Sequence, residues 1–63
     1  VKRRQLLKHL GEHGCVLDTE GRRHSKYLNP ANGKKTAVPR HTEIDNVTAR
    51  IICDQLGVPR VGR

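Results

Sequence analysis

The sequence predicts a small α+β domain in the order α-β-β-β-α, a three-stranded antiparallel sheet with two helices on one face. Apolar residues at helical spacing mark a segment near each end of the chain. Between them lie three short strand-like segments set off by turn residues, with Asn29-Pro30-Ala31-Asn32-Gly33 a strong hairpin signal between the second and third. The 63 residues make a single domain and no more.

The first helix spans Lys2 to about His13. Leu6, Leu7 and Leu10 fall on one side, with Arg4, Lys8 and Glu12 on the other. So narrow a stripe suits a helix lying on a sheet. Gly14 supplies a left-handed cap at its end. Val1 in first position implies an initiator methionine or a tag removed or left out ahead of it. Cys15 to Glu20 reads as a strand, Gly21 as a turn, and Arg23 to Leu28 as the second strand. Lys34 to Val38 forms the third, which Pro39 stops.

For the second helix Asn46 is the expected N-cap, with Thr42 able to cap an earlier turn. Ala49, Ile52, Cys53 and Leu56 share its inner face, and Gly57 with Pro59 ends it. Ile51 points off that stripe, either to a partly buried helix edge or to a partner. Residues 58–63 read as a frayed basic tail.

Composition narrows the function. With no Phe, Trp or Met, the core is built from Leu, Ile and Val with help from the cysteines. A domain this size buries only about 60% of the surface its unfolded chain exposes, so a bound partner adds useful stability. Thirteen Lys and Arg against six Asp and Glu leave a net charge of +7, which suits a polyanion and above all nucleic acid. The plainer alternative is a solvated basic surface. The cations are spread over several elements rather than gathered on one amphipathic helix, which argues against a membrane-surface role. No run reaches membrane-spanning length and no secretory signal is visible, so the expected compartment is the cytosol. Cys15 and Cys53 form no C-x-x-C pair, and Cys53 reads as a small core residue.

Two helices cover one face of a three-stranded sheet and leave the other open. Alternation along the second strand puts His24 and Lys26 on one side and Ser25 and Tyr27 on the other. Leu28 falls on the His24 side, which calls for a bulge or a partial cover there.

The hairpin carries the unusual chemistry. RNA brings its own nucleophile, the ribose 2′-hydroxyl beside the scissile phosphate. An enzyme need only remove that proton, steady the phosphate and protonate the departing 5′ oxygen. One positioned histidine gives acid or base help worth ~10²–10⁴-fold in rate, and arginines stabilise the charge that builds on phosphorus. His24 beside Arg22 and Arg23 fits, with Lys26, Lys34, Lys35 and Arg40 placed to follow the RNA backbone. Tyr27 is the single aromatic ring, available to stack on a base or to serve the core. His9 and His13, four apart on a helix, with Cys15 close behind, form an incomplete zinc set, so no metal and no small-molecule cofactor is expected. No glycine-rich phosphate loop is present, and no histidine partner is assigned to Cys15 as a nucleophile.

These residues resemble the HicA family of bacterial toxins, small messenger-RNA interferases of type II toxin–antitoxin systems. The likeness runs from Gln5 to Val58. It is carried by Gln5-Leu6-Leu7…Leu10, His13-Gly14, Gly21-x-x-His24-x-x-Tyr27, Asn29-Pro30, Val38-Pro39-Arg40-His41-x-Glu43-Ile44, and Arg50-x-Ile52 through Gln55-Leu56-Gly57. The resemblance implies a fold like a double-stranded-RNA-binding domain and metal-independent ribonuclease activity on mRNA. It also implies His24 as the catalytic histidine and a HicB-like antitoxin that covers the active surface.

The chain departs from the family at two places. Gly21-Arg22-Arg23-His24 stands where the family often has Gly-Gly-Ser-His or Gly-Ser-His, and Val47 stands where it tends to have Gly. His41 reads as structural or as a partner contact. The rival readings are a non-catalytic RNA-binding module on the same fold and a basic interaction protein for an acidic partner.

Overall fold

A computed structural model describes residues 1–61. It has the expected order: α1 (Arg3–Glu12), β1 (Val16–Glu20), β2 (His24–Asn29), β3 (Lys34–Pro39) and α2 (Asn46–Leu56). The strands form one antiparallel sheet in the order β1-β2-β3.

Leu6 and Leu10 of α1 are fully buried and Leu7 half-buried, as the stripe predicts. Gly14 has φ +84° after the helix, and Cys15 N–H returns to the Leu10 carbonyl at 2.9 Å. Val38 from β3, Ile44 from the following loop, and Ala49, Ile52, Cys53 and Leu56 from α2 complete most of the core. Both cysteines are buried and free, and burial pushes both thiols up from their ordinary value. The helix-facing side of the sheet is partly polar: Ser25, Asn29 and Thr36 are buried and each is hydrogen-bonded.

Two local features differ from the sequence reading, and a third answers a question it raised. The N-cap of α2 is Asp45, not Asn46: its Oδ2 accepts from the N–H groups of Val47 at 3.0 Å and Thr48 at 3.4 Å. A carboxylate both satisfies orphan donors and meets the positive end of the helix dipole.

The segment after α2 is docked over residues 58–61 rather than frayed. Gly57 turns left-handed at φ +71°, Val58 N–H bonds to the Cys53 carbonyl, and Val58 joins the core. The Arg60 guanidinium grips Asp54 with two bonds of 3.1 and 2.9 Å, while the Pro59 carbonyl lies 2.6 Å from His9 Nε2. Residues 62–63 lie outside the described residues.

Finally, β1 and β2 slip register between Leu17 and Thr19, a bulge that leaves Asp18 without a paired residue. The Asp18 carboxylate then reaches the Lys35 ammonium at 3.4 Å. Leu28, whose cross-strand neighbours are Val16 and Lys35, is half-buried. The register slip is the bulge that the placement of Leu28 called for.

The start of the chain is tied to the loop before α2. Arg3 N–H bonds to the Thr42 carbonyl at 2.8 Å, Ile44 N–H bonds to the Val1 carbonyl at 2.7 Å, and Lys2 bridges Glu43. These bonds bring the first turn of α1 to the end of the sheet where β2 begins and β3 ends.

Candidate active site

Gly21, Arg22 and Arg23 form the turn from β1 into β2, and His24 is the first residue of β2. The turn closes with Gly21 N–H on the His24 carbonyl at 2.9 Å. A Cβ added at Gly21 would sit 2.9 Å from that same carbonyl oxygen, so the approach requires glycine.

A second set of bonds holds the turn from the side. Arg40 Nη2 pairs with Glu20 Oε1 at 3.1 Å and donates to the Gly21 carbonyl, while Nη1 reaches the Arg22 carbonyl at 3.3 Å. Glu20 Oε1 also accepts from the Ser25 hydroxyl, which in turn accepts from Arg3 Nη2 at 3.0 Å. Arg3 Nε donates to the Pro39 carbonyl at 2.9 Å. The hydrogen bond from Ser25, followed by the Arg40 guanidinium, holds the Glu20 carboxyl below its ordinary range.

This framework runs along the helix-facing side and the rim of the sheet. The site itself lies on the other face. His24 is exposed there, directly opposite Pro39 in the β2–β3 register. A cleft of about 440 Å³ is lined by Arg22, Arg23, His24, Pro39, Arg40 and His41. A second concavity of about 420 Å³ shares Arg22, Arg23 and His24 and extends over the open face past Lys26 and Lys35. His24 therefore stands on the ridge between two cationic hollows. The arrangement offers a proton carrier beside guanidinium groups that bind phosphate well.

Of the residues singled out from the sequence, His24, Arg22, Arg23, Lys26, Lys35 and Arg40 come together around these two hollows. Their situations differ. Arg22, Arg23 and Lys26 are exposed, whereas Lys35 is paired with Asp18 and Arg40 is spent on Glu20 and the turn carbonyls. Tyr27 lies on the opposite face, half-buried against the core, as strand alternation requires. Lys34 stands at the far end of the hairpin with its stem beside Gly57.

Arg3, Glu20 and Ser25 as framework residues, and His41 as a lining residue, escaped the sequence reading. An inward-facing serine must find partners, which was the one usable signal. Nothing local links residue 3 to residue 25. Among the described residues no group of three or more His, Cys, Asp or Glu is placed to hold a metal ion, and no helix is long and apolar enough to cross a membrane.

A family model described as the HicA toxin of bacterial toxin–antitoxin systems matches residues 3–58. No curated protein and no solved structure matches the chain.

Proposed function

The chain belongs to the HicA family of toxins of bacterial toxin–antitoxin systems, and from that premise we propose that it is a metal-independent endoribonuclease that cuts messenger RNA. The observation that carries this reading is the exposed imidazole of His24 on the ridge between two hollows, with Arg22 and Arg23 lining both. His24 takes the proton of the 2′-hydroxyl. The 2′ oxygen attacks phosphorus, the P–O5′ bond breaks, and the products are a 2′,3′-cyclic phosphate and a free 5′-hydroxyl. Arg22 and Arg23 balance the charge gathered on the phosphate in the transition state. Lys26 and, at the margin, Lys35 hold neighbouring phosphates.

Because the nucleophile belongs to the substrate, the chain has to supply only proton transfer and charge. Its +7 balance draws RNA toward the hollows and suits an acidic partner equally well. Such a partner is a HicB-like antitoxin in the bacterial cytoplasm, which silences the toxin by covering this face until it is released.

Purified protein incubated with messenger RNA in EDTA tests the reading. Cleavage by the wild type, lost in His24→Ala together with growth arrest on expression, supports it. Tight RNA binding without cleavage replaces the nuclease with a binding module.

A further inference from the structure

Cleavage by 2′ attack needs two proton transfers, at oxygens on opposite sides of phosphorus, and His24 accounts for one. We infer that His41 is the general acid, giving its proton to the 5′ oxygen as the P–O5′ bond breaks; this rests on the nuclease reading above. His41 lines the same cleft as His24, Arg22 and Arg23. It arrives from a different segment: His24 opens β2 opposite Pro39, and His41 lies in the loop that follows β3, two residues after Pro39.

His24 borders both hollows, so nucleotides on either side of a phosphate seated there lie within its reach. His41 borders only the first and serves one side of that phosphate. With the 2′ proton taken by His24, the oxygen left for His41 is the departing one. The balance is complete: one imidazole gains the proton that the 2′ oxygen loses, and the other gives one to the 5′ oxygen.

The backbone around His41 is anchored on both sides. Arg3 holds the Pro39 carbonyl through Nε and the Thr42 carbonyl through its own N–H, at 2.9 and 2.8 Å. Between them, Arg40 is bound to Glu20 and to the Gly21 carbonyl. The His41 ring is nevertheless exposed, and among the described residues no hydrogen bond or ion pair engages it. The fixed backbone keeps His41 at the cleft, and its unengaged ring nitrogens are available to give a proton to a bound substrate.

The test compares an ordinary RNA oligonucleotide with one whose scissile 5′ bridging oxygen is replaced by sulfur. A thiolate departs without protonation, so this substrate has no need of a general acid. His41→Ala and His41→Gln should each lose ~10²–10⁴-fold on ordinary RNA and recover most of it on the sulfur-bridged RNA, whereas His24→Ala stays impaired on both. Wild-type rates in the His41 variants, or an equal loss on both substrates, would overturn the role of His41 alone. A wild type that cuts neither RNA would overturn the nuclease reading itself.

Discussion

Arg40 and Glu20 form a 3.1 Å ion pair between the end of β3 and the end of β1, and the same guanidinium donates to the carbonyls of Gly21 and Arg22. The pair straps the turn that delivers His24. Removing it by Arg40→Ala should lower the cleavage rate by up to ~10²-fold through misplacement of the imidazole, with a smaller change in RNA affinity. Single-turnover rates measured beside equilibrium binding separate the two effects.

Glu20 gives this strap a pH dependence of known sign. Its carboxyl titrates lower in the folded chain than in the unfolded one, where the ordinary value is 4.5. Its stabilising contribution is therefore complete above 4.5 and is lost as pH falls through the lower folded value. Urea unfolding from pH 7 down to pH 3 should show a loss of stability in acid that is shallower in Glu20→Gln.

Gly21 approaches the His24 carbonyl too closely for any side chain. In Gly21→Ala the backbone has to move, at a cost of about 1–3 kcal/mol, and His24 moves with it. Cleavage should fall even at temperatures where circular dichroism finds the variant folded. A variant as active and as stable as the wild type would show that the turn tolerates a wider path.

Salt dependence sorts the cations. Each phosphate contact with single-stranded RNA contributes about 0.7 to the slope of log affinity against log salt. Arg22→Ala, Arg23→Ala and Lys26→Ala should each flatten the slope by about that amount. Lys35→Ala should do less, because its ammonium already faces Asp18. Lys34→Ala should leave the slope unchanged, since that residue stands at the hairpin tip away from both hollows.

At the other end of the hairpin, Asn29 and Asn32 donate to the Leu56 carbonyl at 2.8 and 3.0 Å, covering the last turn of α2. Asn29 is buried. Asn29→Ala strips this bond inside the protein and should cost about 1–3 kcal/mol in denaturant unfolding, with cleavage by the folded fraction unaffected.

Those two asparagines also mark how far the sequence could be read. Their positions in the Asn29-Pro30-Ala31-Asn32-Gly33 turn revealed the hairpin, and Gly33 does adopt φ +73°. Their side chains' work on α2 was hidden, because it joins residues 24 or more positions apart. Strand order, helix faces and the exposure of His24 followed from period and alternation, which are local properties. The Arg3–Ser25–Glu20–Arg40 framework draws on four different segments, and no spacing within any one of them announces it. The docked end of the chain was missed for a similar reason. Val58-Pro59-Arg60 reads as a solvated tail until Asp54, His9 and the core are seen beside it.

The most direct measurement is the single-turnover rate of wild type and His24→Ala, side by side in EDTA, on one RNA and on its counterpart with a 2′-deoxy sugar at the cut. The expected result is cleavage by the wild type alone, ~10²–10⁴-fold faster than the variant, and none of the deoxy substrate. Equal rates for the two proteins, or cleavage that survives without the 2′-hydroxyl, would contradict proton removal by His24.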